Sequence, residues 1–401
     1  MTAATAARDF LRHLAQTSPA PLGIAVERAR GASVWDAEGR EYLDLLSGMG
    51  VANVGHCNPA VVEAVVAQAA RYLHVMVYGE AVQEPQVALA RRLAALTPGD
   101  LSVTYFTSSG AEAVEGALKL ARKYTGRARF AAFRGGYHGD TLGALSLCDS
   151  AVYRKPFEPL LDGVEFLPFG ETANLDRIDH TVAGVVVEPI QGEGGVRVPC
   201  DEFLPALRAR CDATGALLIC DEVMTGLGRT GEWFACRHWG MCPDVLVLAK
   251  ALGGGLPLGA FISRPEIMQT LAHDPPLAHV TTFGGHPLSC AAGLAALEFA
   301  ERHRLAPRAA ALGALWRTEL EKLRGEALRE VRGRGLLIGL EFATPEITQA
   351  FCRAALARGL ILNWTLHRDT VVRLAPPLVI SDADSERALG AIAKSLNDLV
   401  I

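Results

Sequence analysis

Two groups of opposite charge set the chemistry. Lys250 follows the apolar run VLVLA and precedes the glycine-rich stretch ALGGGLPLGA. Asp221 and Glu222 follow the apolar run ALLIC, with Asp221 lying 29 residues before Lys250. A cation at the end of a buried strand is costly unless it is paired or chemically used. In an open α/β sheet, ligands collect beyond the carboxyl ends of the strands. A lysine and an acid meeting there suit imine chemistry, with the lysine as Schiff-base former and the acid as partner of a pyridinium nitrogen. The same residues also read as a lysine snorkelling from a strand end and an acid capping a helix.

Other stretches carry polar groups at strand ends. TSSGAEA (107–113) lies between a strand and a helix. Its small residues would let a phosphate approach backbone N–H groups at a helix N-terminus, and Ser108 or Ser109 equally suits an ordinary N-cap. GGYHGD (135–140) sets Tyr137 between glycines, where it could lie against a planar ring or simply pack. His138 follows it and by itself reads as structural. EPIQGEGG (188–195) holds two carboxylates, Glu188 and Glu193, around a glycine-rich loop. A solvated loop acid is the plain reading of each, and the density of polar groups argues for a site. TTFGGHP (281–287) offers the hydroxyl of Thr282 and a flexible backbone to a phosphate. In VVRLAPPL (371–378), Arg373 is a charge in an apolar strand that wants a carboxylate, from the protein or from a substrate.

The rest of the chain bounds what these groups can serve. A net charge of −5 without any lysine/arginine block leaves no footprint for nucleic acid. No apolar run reaches the ~18 residues of a membrane span, so no membrane partner is expected. The opening MTAATAARDFLRHLAQ lacks the apolar core of a secretory signal, and a cytoplasmic location is expected. None of the nine cysteines forms a C-x-x-C pair. They read as small buried hydrophobes in a reducing setting, and no metal site is expected.

Elements able to position the site alternate along the chain. Strand-like runs at 102–107, 128–133, 182–189, 216–222, 244–250 and 259–263 alternate with helical patterns such as 110–124 and 203–214. Short β-branched runs between helices point to a mostly parallel sheet with helices on both faces. NPAVVEAVVAQAARYL (58–73) reads as a helix with Asn58 as N-cap and Pro59 in its first position. Beyond about residue 304 the texture changes to a charged helix over 308–324, a strand–turn–strand over 331–342, a helix over 344–359 and a strand over 371–380. A helix beginning near Ser381 closes the chain. WDAEGREYLDL near the start reads as a hairpin turning at Glu38-Gly39. The expected organisation is therefore an N-terminal segment (1–55) joining a small C-terminal α/β domain (305–401), with a large domain (56–304) between them.

Taken in order, these motifs resemble the class III pyridoxal-phosphate aminotransferases, the ornithine, acetylornithine and 4-aminobutyrate group. The resemblance runs from YLDL and GHCNP (55–59) to RLAPPL over almost the whole chain. It implies the α/β fold of type I pyridoxal-phosphate enzymes, with pyridoxal 5′-phosphate as cofactor. It implies that Lys250 holds the cofactor as a Schiff base and shuttles the proton, and that Asp221 pairs with the pyridine nitrogen. Val223 and Tyr137 would sandwich the ring, with His138 beside it and Glu188 in the polar network behind. Ser109, Gly110 and Ala111 would bind the phosphate, and Thr282 would reach it from the other subunit of a homodimer. Arg373 would bind a substrate carboxylate, and Glu193 would neutralise it when an ω-amine enters.

The implied activity is ping-pong transfer from an ω-amino or diamino donor to a 2-oxo acid. A same-fold aminomutase or racemase is the alternative, and a non-catalytic binding protein is disfavoured by the intact Lys250–Asp221 pair. Two residues depart from the family pattern. Asp140 stands where many relatives have an arginine for a distal carboxylate, and the diaminopelargonate-synthesising branch also has an acid there. Met224 stands where many have a glutamine, and a thioether cannot donate that hydrogen bond.

Overall fold

A computed structural model describes residues 3–399. The first two and last two positions of the expected N-terminal segment and C-terminal domain lie outside the described residues. The chain opens, after a helix at Ala3–His13, with β1 (Val26–Arg30), β2 (Ser33–Asp36) and β3 (Glu41–Asp44). β2 and β3 form the expected antiparallel hairpin, with Val34 opposite Tyr42 and a positive φ of 82° at Gly39.

The central sheet holds β4 (Val103–Thr107), β5 (Arg129–Phe133), β6 (Val164–Leu167), β7 (Val182–Val187), β8 (Leu217–Asp221), β9 (Val245–Leu248) and β10 (Gly259–Ser263). Their spatial order is β4-β10-β9-β8-β7-β5-β6. β10 runs antiparallel to both its neighbours, and the other adjacent pairs are parallel. All strands but β10 therefore point their carboxyl ends the same way. Both faces are apolar, as a sheet covered by helices on each side requires. Phe133, Val187, Cys220, Leu246 and Leu248 face one core. Their chain neighbours Ala132, Val186, Ile219, Val245 and Val247 face the other. The helix Gly110–Thr125 lies so close to the sheet that a Cβ at Gly116 would collide with the ring of Phe261.

The C-terminal part adds β11 (Leu328–Arg334), β12 (Leu337–Phe342), β13 (Leu360–Ile361), β14 (Asn363–Trp364) and β15 (Val371–Leu374). β11, β12, β15 and β14 make an antiparallel sheet, and β13 pairs in parallel with β3 of the opening segment. A third apolar cluster, centred on the fully buried Trp316, packs these elements together.

Several boundaries differ from the sequence reading. The charged helix runs Leu305–Glu321 rather than 308–324, because Pro307 falls in its first turn, where no intrahelical N–H is needed. β15 stops at Leu374, before Pro376-Pro377, and the N–H of Ala375 turns to Leu45 O at 2.7 Å. The helix Glu84–Leu96 and the strand β6 were not anticipated. The helix could have been, because Pro85, Leu89, Leu93 and Leu96 repeat at helical spacing and are its buried residues.

Candidate active site

The site is built where parallel strands end. β4 delivers Ser108–Ala111, β5 delivers Tyr137–Asp140, β7 delivers Glu188 and Glu193, β8 delivers Asp221 and Val223, and β9 delivers Lys250. These residues line one cavity of about 680 Å³ together with Arg373 from β15. Residues far apart in sequence meet because each parallel strand must cross over before the next begins.

Lys250 lies just past the strand, not in it. β9 ends at Leu248, and Lys250 takes a left-handed φ of 48° at the start of a short 3₁₀ turn. Its Nζ lies 3.6 Å from Met224 Sδ. Burial pushes its pKa down and the charge of Arg373 pushes the same way, outweighing nearby acids. A lysine so placed is biased towards the neutral amine that attacks carbonyls.

Asp221 is fully engaged. Its Oδ2 is 2.7 Å from His138 Nδ1, and its Oδ1 accepts from Val223 N at 3.0 Å. Burial opposes a charge on His138, but the hydrogen bond and charge of Asp221 win and the net shift is upward. Glu188 accepts from Tyr137 N at 3.0 Å and from Gly192 N at 2.9 Å. Burial is the largest influence on it, and its pKa is pushed up to about 7.

Glu193 faces Arg373, with Oε1 on Nη1 and Oε2 accepting from Leu366 N at 2.9 Å. Both residues are buried. Burial would raise the pKa of Glu193, but the guanidinium and the backbone N–H hold it below the usual carboxylate range. The Tyr137 hydroxyl donates to Asp140 Oδ2 at 2.8 Å. Burial and Asp140 both push the phenol pKa up, so it stays protonated and donating.

At the other end, Ser109 caps the helix Gly110–Thr125 and its Oγ accepts from Glu112 N at 3.2 Å. Ser109 is thus an N-cap, and the hydroxyl proton remains available to a ligand. The first N–H groups of a helix have no partner within it and carry the positive end of its dipole. A Cβ at Gly110 would press on Val223 and Ala249 at 3.3 Å, so the loop, Val223 and the approach to Lys250 are in mutual contact. Anion-binding helix start, buried acid and activated lysine could together hold a planar pyridine ring bearing a phosphate and an aldehyde. That donor set fits pyridoxal 5′-phosphate.

Thr282 is exposed and does not line the cavity of its own chain. Val51 and Gly255–Leu258 do line it and were not anticipated. Gly255–Leu258 enter because antiparallel β10 starts at the end where the other strands stop. Val51 follows a run of positive φ at Ser47, Gly48, Met49 and Gly50, which the glycine spacing SGMG signals weakly. Away from the cavity, Cys220, Glu222 and Cys236 group their side chains in the core. The Glu222 carboxylate there already accepts from Thr225 Oγ1, Ala235 N and Cys236 N.

The chain is similar over nearly its whole length to several known proteins. The chain is 44% identical over 393 residues to an acetylornithine aminotransferase of Methanopyrus kandleri, covering 97% of this chain and 98% of the relative. It is 44% identical over 389 residues to a putrescine aminotransferase of Pectobacterium atrosepticum, covering 93% and 82%. A crystallised ornithine aminotransferase of Toxoplasma gondii, described with pyridoxal phosphate at its active site, superposes with a TM-score of 0.92 at 33% identity, over 99% of this chain and 94% of that one. The family model of class III aminotransferases matches residues 14–396. The chain belongs to the class III aminotransferases, enzymes that depend on pyridoxal 5′-phosphate.

Proposed function

We propose that the protein moves an amino group from an ω-amino or diamino donor to a 2-oxo acid in two half-reactions sharing one pocket. The buried Glu193–Arg373 pair carries this reading. Paired, the arginine is neutralised and the pocket takes an uncharged methylene chain leading to an amine. Released, it offers a bidentate partner to the carboxylate of the 2-oxo acid. The similar enzymes named above act on acetylornithine, putrescine and ornithine, amines of this kind.

Pyridoxal phosphate supplies an electron sink for the pair left when a proton departs from the amine-bearing carbon. Asp221 would pair with the ring nitrogen, and His138, 2.7 Å from its Oδ2, would position it. Tyr137 and Val223, both lining the cavity, would hold the ring between them. Ser109 and the N–H groups of Gly110 and Ala111 would hold the phosphate, with Glu188 ordering the loops behind through Tyr137 N and Gly192 N. Lys250 Nζ, biased towards the neutral amine, would be the base that takes the proton from the amine-bearing carbon of the donor and later gives a proton back. The first half-reaction would consume one water and release the donor's carbon skeleton as a carbonyl product while its amino group stays with the cofactor, and the second would pass that amino group to the 2-oxo acid and give the water back.

We further infer a homodimer in which Thr282 serves the partner's phosphate site. Its own cavity does not use it, and Leu277, Val280 and Phe283 around it expose apolar surface. Among the described residues no helix is long and apolar enough to cross a membrane. The cysteines are free thiols, which suits a reducing cytoplasm.

The test is a donor panel of ornithine, acetylornithine, 4-aminobutyrate, putrescine, lysine and alanine, followed by loss of the absorbance of the lysine-bound cofactor and by the oxo product. Stoichiometric product from ω-amines supports the reading. Racemisation or amino-group migration without any oxo product overturns it.

A further inference from the structure

The cavity contains more acid than its own cations use. Four carboxylates line it: Asp140, Glu188, Glu193 and Asp221. Glu193 is paired with Arg373 and Asp221 with His138. Glu188 spends both oxygens on backbone N–H groups. Asp140 differs from all three. Its hydrogen bond is to a neutral phenol, Tyr137, and it forms no ion pair with a cation among the described residues. It is also the one of the four that is exposed, whereas the others are buried.

Its position is fixed rather than loose. The preceding Gly139 has a φ of 123°, and a Cβ there would lie 2.6 Å from Ala111 Cβ, so the loop is pinned against the helix start that suits the phosphate. The Tyr137 hydroxyl occupies one carboxylate oxygen at 2.8 Å. The other oxygen of Asp140 has no hydrogen bond with any described residue, so the Tyr137 bond fixes the carboxylate while this oxygen is left for a ligand in the cavity. Such a group is matched by a cation on the ligand.

We propose that Asp140 is a specificity-determining residue that receives the far ammonium of an α,ω-diamine while the near amine reacts beside Lys250. This rests on the ω-amine transaminase reading above and narrows it to donors cationic at both ends. The same charge works against the other substrate. A dicarboxylic 2-oxo acid would bring its distal carboxylate towards Asp140, whereas a monocarboxylic one brings none. The acceptor is therefore a small monocarboxylic 2-oxo acid such as pyruvate.

The experiment compares 1,4-diaminobutane, 1-aminobutane and 4-aminobutyrate as donors to pyruvate with the cofactor-loaded enzyme, in wild type, Asp140→Asn and Asp140→Arg. Asparagine keeps an acceptor for the Tyr137 hydroxyl, so the loop is retained while the charge is lost. The wild type is expected to prefer the diamine over the monoamine by tenfold or more in kcat/KM. Asp140→Asn should lower that ratio at least tenfold, and Asp140→Arg should invert the order of diamine and 4-aminobutyrate. Calorimetric binding of 1,4-diaminobutane to the loaded Lys250→Ala protein, with and without Asp140→Asn, reads the same contact without turnover and should show a tenfold weaker Kd. If the wild type transaminates but the ratio and the Kd survive Asp140→Asn, the inference about Asp140 is wrong and the transaminase reading stands. If no donor yields an oxo product, both are overturned.

Discussion

Glu193 divides its carboxylate between two partners, with one oxygen on Arg373 and the other on Leu366 N at 2.9 Å. The backbone bond aims the carboxylate, and the guanidinium holds it below its ordinary pKa. Glu193→Gln should keep the backbone acceptor and abolish the pairing, leaving Arg373 permanently free. Half-reactions followed by rapid mixing should then separate. The 2-oxo acid is expected to bind about tenfold more tightly, and the ω-amine to react roughly 10–100-fold more slowly, because its chain now meets an unpaired buried cation. Equal changes in both half-reactions would deny Glu193 a switching role.

Lys250 supplies a pH test that needs no cofactor. Its folded pKa is depressed by burial and by Arg373. The unfolded state therefore binds more protons, and the lysine destabilises the cofactor-free fold below the depressed pKa. The penalty shrinks as pH rises from that value towards the unfolded ~10.4. Cofactor-free Lys250→Met should consequently melt above the wild type at pH 7, and the gap should narrow by pH 9.5. A gap that is constant or widens with pH contradicts the assignment.

Much of this site was legible because its parts carry strong local constraints. Lys250 and Asp221 follow runs apolar enough to be buried strands, and β9 and β8 are buried throughout. Ser109 and Asn58 announce helix starts, and both side chains accept the capping N–H. What stayed hidden depends on the third dimension. No local pattern says that β10 runs against its neighbours, which is what brings Gly255–Leu258 to the cavity. The parallel pairing of β3 with β13, over 300 residues apart in sequence, has no short-range signature either. The left-handed turn before Val51 is carried by Ser47 and Met49 as well as by glycines, so sequence alone underrates it.

Arg229 escaped the sequence reading for a similar reason. Within GLGRTG it resembles a surface loop residue, yet it is fully buried. It donates to Leu336 O at 3.0 Å, to Pro376 O at 2.6 Å and to Asn53 Oδ1 at 2.6 Å, which ties three distant segments together. Burial and nearby Arg373 push its pKa down, although a guanidinium remains charged at neutral pH. Arg229→Met fills similar volume and strands those acceptors. A loss of about 3–5 kcal/mol is expected in denaturant unfolding, the scale for breaking a buried charged network. A loss below about 1 kcal/mol would mean that water replaces the guanidinium.

His138 and Asp221, 2.7 Å apart, allow a last test through coupling. If Asp221 holds the proton on the ring nitrogen, its removal should cost the most, and His138 should matter only through it. Asp221→Asn is expected to lower kcat/KM by roughly 10³-fold, about 4 kcal/mol, and His138→Gln by roughly tenfold. Independent effects would multiply to roughly 10⁴-fold in the double variant. Action through Asp221 predicts instead that the double variant is no worse than Asp221→Asn within about threefold, because the histidine's target is already gone. The nitrogen-15 shift of labelled cofactor gives a readout besides rate. It should report a protonated ring nitrogen in the wild type, a weakened signature in His138→Gln and a neutral nitrogen in Asp221→Asn. A protonated nitrogen in Asp221→Asn would move the role to another group and leave the His138–Asp221 pair structural.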